Sequence, residues 1–253
     1  MRILLTNDDG INAPGIKALW QNLNALGDVF VVAPSSEQSA MSQAITVHNP
    51  IRVDSYPIGI KNVTGWSIGG TPTDCVKLAL ETLLPEKPDV VISGVNLGSN
   101  LGSDVLYSGT VSAAIEGALH NIPSIAISLD KRKDADFLFS AKFLVKLIKK
   151  MLQEKIPSNT LLNINIPSNC NENDEEVAIT KLGIREYANS FDKRQDPSGR
   201  NYYWMGGQIA DSENKEDTDV FAVGNGKVSI TPIHFDLTNY QLIKTLEDWH
   251  MKI

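Results

Sequence analysis

The chain has few cysteines and no long apolar run. It has 253 residues but only two cysteines, and Cys75 and Cys170 form no C-x-x-C pair. This spacing excludes a disulfide framework and disfavours a thiolate metal site. No stretch approaches the roughly 18 consecutive apolar residues of a membrane span, and no charged leader with an apolar segment opens the chain. We therefore expect a reduced, cytoplasmic protein with no membrane role.

Basic charge is also scarce. Lys and Arg number 23 against 30 Asp and Glu, which gives a net charge of −7, and no basic run exceeds three residues. Binding to a phosphate backbone requires clustered cations, so nucleic acid is not an expected partner. The hydrophobic fraction of 42% and charged fraction of 21% are ordinary for a globular protein.

Alternating strand and helix patterns predict an α/β fold. The apolar run from Ile3 to Leu5 is typical of a strand buried on both faces, and a helix and a second buried strand, Asp28 to Pro34, follow it. We expect one domain with a Rossmann-like, mostly parallel sheet flanked by helices over about residues 1–168. A C-terminal extension, about residues 169–253, should contain hairpins and a terminal helix.

Two adjacent carboxylates follow the first strand. Asp8 and Asp9 precede Gly10, and ligands of open parallel sheets bind at the carboxyl ends of the strands. Two carboxylates about 4 Å apart repel by roughly 4 kcal/mol at an effective dielectric constant of 20. A cation or a shared proton would remove that cost. The alternative is a simple turn and cap before a helix, which is the commoner fate of an isolated Asp-Asp-Gly.

A second polar stretch, Ser93 to Thr110, interleaves glycines with Asn, Ser and Asp. It lies between a predicted strand and a helix predicted from about Val111 to His120. Ser108, Gly109 and Thr110 would then present N–H groups and hydroxyls at a helix N-terminus, which favours an anion. The stretch lacks a Walker ending and the glycine spacing of a dinucleotide fingerprint. The alternative is a flexible loop with an ordinary cap, although polar loops of this length are more often functional.

One of the four histidines is a catalytic candidate. His234 is followed two residues later by Asp236, a spacing that can place both side chains on one face of a strand. A structural histidine at a strand end is the alternative. His120 ends a predicted helix, where interaction with the helix dipole favours a structural role.

Together these motifs resemble those of the SurE family. The resemblance is carried by NDDG after the first strand, SA after VVAP, GTPTDC, SGVNLGSNLGSDVLYSGTVSAAIEG and TPIHFDLT. It covers essentially the whole chain and implies a metal-dependent phosphatase acting on nucleoside monophosphates. It also implies homodimers or homotetramers with exchanged carboxyl-terminal elements. Several relatives have Gly-His where this chain has Ser42-Gln43, so no substrate contact is carried over from that loop.

The resemblance implies site residues by position: Asp8, Asp9, Ser39 and Asn96 for the metal, and Ser108, Gly109 and Thr110 for the phosphate. The four metal ligands all offer hard oxygen atoms. These suit Mg²⁺ or Mn²⁺, with Ca²⁺ able to occupy the same site, and match a zinc site poorly.

The expected mechanism uses a metal-activated water as the nucleophile. Asp8, Asp9 and Asn96 would act through the metal, and His234 would assist as an acid or hydrogen-bond donor to the phosphate or leaving oxygen. An aspartyl-phosphate intermediate at Asp8 or Asp9 is the alternative mechanism.

Two other functional classes stay open. A nucleotide-binding regulatory protein without turnover would share the core and the glycine-rich stretch, and hydrolysis of AMP to adenosine distinguishes it from a 5′-nucleotidase. A dinucleotide oxidoreductase would need a G-x-G-x-x-G turn where this chain has Asp8, Asp9 and Gly10. Within the predicted 5′-nucleotidase, 3′-nucleotides and polyphosphate stay open as further substrates.

The end of the chain predicts an oligomer. Residues 240–253 form an amphipathic pattern through Leu242, Ile243, Leu246 and Trp249. Because a terminal helix without a core of its own often docks on a partner subunit, we expect the extension chiefly to build the oligomer.

Overall fold

A computed structural model describes residues 1–131, 135–154, 156–170, 176–210 and 214–251. Its elements in chain order are β1 (Arg2–Thr6), α1 (Pro14–Leu23), β2 (Asp28–Pro34), β3 (Val53–Tyr56), β4 (Val63–Ile68), α2 (Pro72–Leu78), β5 (Val90–Leu97), α3 (Gly109–Leu119), β6 (Ser124–Asp130), α4 (Leu138–Glu154), β7 (Leu161–Pro167), β8 (Val177–Ile179), β9 (Tyr187–Ala188), β10 (Phe191–Gln195), β11 (Asn201–Met205), β12 (Gln208–Ile209), α5 (Asp219–Gly224), β13 (Val228–Ile233) and α6 (Tyr240–Glu247). No helix in these ranges is long and apolar enough to cross a bilayer.

Nine strands form the main sheet in the order β3-β4-β2-β1-β5-β6-β7-β13-β8. Neighbouring strands pair in parallel except at β3–β4 and β7–β13, which confirms the predicted mostly parallel, Rossmann-like sheet. The chain winds from β1 outward to β2 and β4, then returns to β5 on the other side of β1. The winding therefore reverses between β1 and β5, and the crevice beyond their carboxyl ends is where such a fold binds ligands.

The central strand β1 is apolar on both faces because helices cover both faces of the sheet. Ile3 and Leu5 pack in the core shared with α1 and α4, whereas Leu4 packs in the core shared with α2 and α3. All three side chains are fully buried. This alternation is what a parallel sheet between two helical layers requires, and it explains the continuous apolar run in the sequence.

The extension divides into two parts. β13 and β8 add two strands to the main sheet, so the sheet continues past residue 168, where the sequence suggested that the core closes. The second part projects from it: β10 pairs with β11, and β9 pairs with β12, as one interrupted hairpin arm. The predicted hairpins and terminal helix are present, and α6 ends at Glu247 rather than continuing towards Ile253, which lies outside the described residues.

Candidate active site

A tight turn after β1 makes the two carboxylates leave strand geometry. β1 ends at Thr6, and Asn7 Nδ2 donates to the Gly10 carbonyl oxygen at 3.0 Å. Gly10 has φ +94°, and a Cβ there would lie 3.2 Å from the Ser36 carbonyl carbon, so a side chain would be strained. Within this turn Asp8 is 5% exposed and Asp9 is partly exposed.

Asp8 is held between the start of α3 and the loop after β2. Thr110 Oγ1 donates to Asp8 Oδ1 at 2.5 Å, and the Gln38 backbone N–H donates to the Asp8 carbonyl oxygen at 2.8 Å. A Cβ on Gly109 would lie 2.9 Å from Asp8 Cβ and 3.1 Å from Asp8 Oδ2. The absence of a side chain at Gly109 therefore allows the Asp8 carboxylate to sit against the first turn of α3.

Asp9 contacts the end of β5 across the switch point. The Leu97 backbone N–H donates to Asp9 Oδ2 at 3.2 Å. The preceding residue, Asn96, donates from Nδ2 to the Gly98 carbonyl oxygen at 2.7 Å. This hydrogen bond uses the amide nitrogen of Asn96 and leaves its oxygen for other contacts. β5 runs to Leu97, so Asn96 lies on the strand itself.

Negative charge accumulates in this turn. Burial raises the pKa of Asp8 above its ordinary value. Burial, and next the negative charge of Asp8, raise the pKa of Asp9 from 3.8 to about 6. Glu37 adds to the pKa increase of both aspartates. A cation placed between the carboxylates would favour their ionised forms and offset this repulsion.

The loop after β2 brings the predicted ligand Ser39 to the same edge of the sheet. Ser39 is exposed, and its hydroxyl donates to Glu37 Oε1 at 2.7 Å. Its neighbour Gln38 contacts the Asp8 backbone, as described above. Glu37 was missed in the sequence, although its position two residues before Ser39 in a polar loop was a usable signal.

Ser42 joins this loop to the glycine-rich stretch. Its hydroxyl donates to the Leu106 carbonyl oxygen at 2.7 Å, and its backbone N–H donates to the Tyr107 carbonyl oxygen at 3.0 Å. The departure from Gly-His noted in the sequence thus introduces a side chain that bonds to the turn just before Ser108.

The start of α3 lies beside Asp8. The helix begins at Gly109, earlier than the predicted Val111, and Ser108 caps it by accepting from the Val111 backbone N–H at 3.1 Å. The Thr110 hydroxyl is already bonded to Asp8. Its side chain therefore holds a carboxylate, whereas the sequence assigned it to a phosphate.

His234 does not join this cluster within one chain. β13 runs antiparallel to β7, and its last residue, Ile233, pairs with Leu161, the first residue of β7. His234 therefore lies at the amino edge of the parallel strands, opposite Asp8, and three strands separate β13 from β1. Four strand spacings alone amount to about 19 Å. One chain therefore does not bring His234 to Asp8, and its catalytic role stays a prediction.

The predicted partner of His234 is engaged elsewhere. Asp236 accepts hydrogen bonds from the Tyr240 hydroxyl and from the Thr238 backbone N–H, the latter at 2.9 Å. The Tyr240 contact first, then those of Thr238, lower the pKa of Asp236 to about 2. β13 ends at Ile233, so the strand spacing that linked His234 and Asp236 in the sequence does not apply.

The four residues predicted to bind a metal include only two acids and no imidazole. In the described part of the chain, no three His, Cys, Asp or Glu side chains come together as a metal-binding group. The structure instead brings two carboxylates together with the loop that carries Ser39 and the strand end that carries Asn96. Any cation here would need the neutral oxygens of Ser39 and Asn96 as well as Asp8 and Asp9.

Comparison with known proteins identifies one family. The model of the family described as Survival protein SurE matches residues 3–189. The chain is 52% identical to the 5′-nucleotidase SurE of Heliobacterium modesticaldum, covering 98% of this chain and 92% of that protein. It is also 52% identical to the 5′-nucleotidase SurE of Carboxydothermus hydrogenoformans, covering 98% and 96%. The crystal structure of the SurE protein from Aquifex aeolicus superposes with a TM-score of 0.85 at 42% identity, covering 99% and 100%.

Proposed function

The chain belongs to the SurE family, and on that premise we infer that it is a 5′-nucleotidase, a hydrolase of phosphoric monoesters. We propose that its substrates are nucleoside monophosphates, cleaved to nucleoside and phosphate at the Asp8–Asp9 turn. The observation that supports this location is that both aspartates accept hydrogen bonds at the switch point, Asp8 from Thr110 at the start of α3 and Asp9 from Leu97 at the end of β5.

The donor atoms at this turn fit a hard divalent cation. Burial raises the pKa of Asp8, and burial followed by the negative charge of Asp8 raises that of Asp9, so positive charge would stabilise both carboxylates. We propose that Asp8, Asp9, Ser39 and Asn96 hold Mg²⁺ or Mn²⁺, and that Ca²⁺ can occupy the same oxygens. When bound, such an ion polarises a phosphoryl oxygen and lowers the pKa of the water that attacks phosphorus.

The chain's own residues orient the ligands and the phosphate. Thr110 fixes one oxygen of Asp8 by its hydrogen bond, which orients the carboxylate. Ser108 accepts from Val111, so its hydroxyl proton is available to a phosphate oxygen at the start of α3. Because Asp8 is buried and bonded through Oδ1, it is poorly placed to attack phosphorus, and this favours water over an aspartyl-phosphate intermediate at Asp8.

We also propose that the protein forms a homodimer or homotetramer. The hairpin arm exposes Tyr203 and Trp204 by 57% and 60%, and α6 exposes Leu242 and Leu246 by 46% and 42%. Exposed apolar side chains on projecting elements are typical of surfaces that a partner covers. A second chain with the same elements is the partner that the family resemblance favours.

Phosphate release from a panel of nucleoside 5′- and 3′-monophosphates and polyphosphate, each with Mg²⁺, Mn²⁺ or Ca²⁺ after chelation, tests this function. We expect turnover of 5′-monophosphates with Mg²⁺ or Mn²⁺. The competing function is a nucleotide-binding regulator. Saturable nucleotide binding without phosphate release under every metal condition would favour that regulator and contradict the proposal.

A further inference from the structure

Asp219 is a fully buried carboxylate that the proposed chemistry does not use. It is 0% exposed and is the first residue of α5, in the extension. Three backbone N–H groups donate to it at 2.8 Å: Gly102 to Oδ2, and Gly183 and Val220 to Oδ1. Such hydrogen bonds satisfy the oxygens of a buried carboxylate, and two of the three donors, Gly102 and Gly183, lie far from Asp219 in the chain.

Two of these donors belong to segments that meet backbone to backbone. Gly102 lies in the glycine-rich stretch with φ +52°, and a Cβ there would lie 2.7 Å from the Gly183 carbonyl oxygen. Asp219 spans this contact, with one oxygen on Gly102 and the other on Gly183. It therefore joins the glycine-rich stretch to the extension of the same chain.

The residues around Gly102 are anchored as well. The Asn100 backbone N–H donates to Asn165 Oδ1 at 2.8 Å, and its carbonyl oxygen accepts from Asn163 Nδ2 at 2.8 Å and Asn165 Nδ2 at 3.0 Å. Asp104 lies 3.6 Å from Arg185 Nε and accepts from the Tyr187 hydroxyl. The glycine-rich stretch is thus anchored near its middle, between Asn96 and Ser108.

Those ends are the groups that meet at the proposed phosphatase centre. At one end the Leu97 backbone N–H bonds to Asp9, beside Asn96. At the other end Ser108 caps α3 and Thr110 bonds to Asp8. A displacement at Gly102 would be transmitted along a few residues of chain to both ends.

We propose that Asp219 is a positioning residue for the phosphatase centre, acting by fixing Gly102 so that Asn96 and the Ser108–Thr110 turn are held in place. This inference rests on the proposed function. It gives the extension a second task besides assembly, because part of it then supports the active site of its own chain.

Asp219→Asn tests this with little change in size. The amide nitrogen cannot accept a hydrogen bond, so either Gly102 or Gly183 loses its acceptor. Since small misplacements at an active site cost up to about 10²-fold in rate, we expect kcat to fall about 10- to 100-fold, with KM changed less than about threefold. The assay is run well below the melting temperature of each variant, so that only folded protein is compared.

The matched control is Asp217→Asn. Asp217 lies two residues away, is exposed, and pairs with Lys181 Nζ at 2.7 Å, so its kcat should equal that of the parent. Asp104→Asn is a milder second variant, since Asp104 is at the rim of the same network, and kcat should fall in the same direction by about two- to tenfold. If Asp219→Asn fails to fold, the kcat of Asp104→Asn decides whether this hydrogen-bond network positions the phosphatase centre.

Hydrogen exchange gives a readout that is independent of turnover. In Asp219→Asn the amides of residues 98–110 should exchange faster than in the parent, whereas those of β1 should not. Parent kcat and parent exchange in a folded Asp219→Asn, with only a lower melting temperature, would reduce Asp219 to a structural residue. If the parent itself releases no phosphate, the proposed function fails, and the exchange rates alone decide whether Asp219 fixes the stretch.

Discussion

Replacing Asp9 by asparagine should stabilise the metal-free protein. Asp9 has its pKa raised from 3.8 to about 6, first by burial and then by the charge of Asp8. Two pKa units correspond to about 3 kcal/mol of penalty for the ionised form. Because Asp9 is partly exposed, solvent screening reduces this to about 1–2 kcal/mol. Asparagine removes the charge and keeps an oxygen that can accept from the Leu97 backbone N–H.

The charge origin of the effect can be read from its pH dependence. A carboxyl whose folded pKa lies above its unfolded pKa binds more protons in the folded state between about pH 4 and pH 6. The stability of the metal-free parent is therefore reduced by this group as pH rises through that window, and the penalty is complete above it. Asp9→Asn does not titrate, so it should match the parent near pH 4 and exceed it at pH 7.5.

Calorimetry in the presence of a chelator measures this difference. For a chain of this size, about 1–2 kcal/mol corresponds to a rise in melting temperature of about 2–4 °C at pH 7.5. Asp236→Asn is the control, because the pKa of Asp236 is shifted in the opposite direction: hydrogen bonds from Tyr240 and Thr238 lower it to about 2. Loss of this charge should not stabilise the protein. A lower melting temperature for Asp9→Asn, or a shift that is the same at pH 4 and pH 7.5, would refute the electrostatic reasoning.

Three further substitutions or deletions follow from the structure. Gly109→Ala should lower kcat by about 10²-fold, because the new Cβ would lie 2.9 Å from Asp8 Cβ. If steady-state kinetics of the folded variant gave the parent kcat, this expected effect of the contact would be wrong. His234→Ala should keep parent kcat, since His234 lies at the opposite edge of the sheet; a large loss with unchanged assembly would indicate that a partner's copy reaches the site. Deleting residues 240–253 should lower the number of chains per assembly, measured by sedimentation, while the main sheet stays folded, because α6 is exposed throughout. An unchanged number of chains per assembly would exclude α6 from the interface.

The core of the site was predictable because strand ends are visible in the sequence. The apolar run before Asp8 placed it at the end of a buried strand, and the Ser-Gly-Thr before an Ala-rich helix placed Ser108 at a helix start. In an open parallel sheet, such ends share one edge, so their convergence followed from topology alone.

Other features depended on information that local patterns do not contain. The edge of the sheet at which His234 lies depends on β13 running antiparallel to β7, and spacing along one strand does not reveal the direction of pairing. The hydrogen bond from Thr110 to Asp8 is not visible in the sequence, because a helix start favours any anion and local patterns do not say which one lies there. The hydrogen bonds of Asp219 could not be predicted from local patterns either, since Gly183 and Gly102 lie 36 and 117 residues away in the chain.

The most direct test of the account is phosphate release from a nucleoside 5′-monophosphate by metal-free parent, Asp8→Asn and Asp9→Asn proteins, before and after addition of Mg²⁺ or Mn²⁺. The metal-free parent should be inactive and should recover with either ion. Both variants should stay folded and recover poorly, because a neutral amide binds a hard dication more weakly than a carboxylate. Full turnover by a demonstrably metal-free parent, or by Asp9→Asn, would contradict the assignment of the Asp8–Asp9 turn as a metal-dependent phosphatase centre.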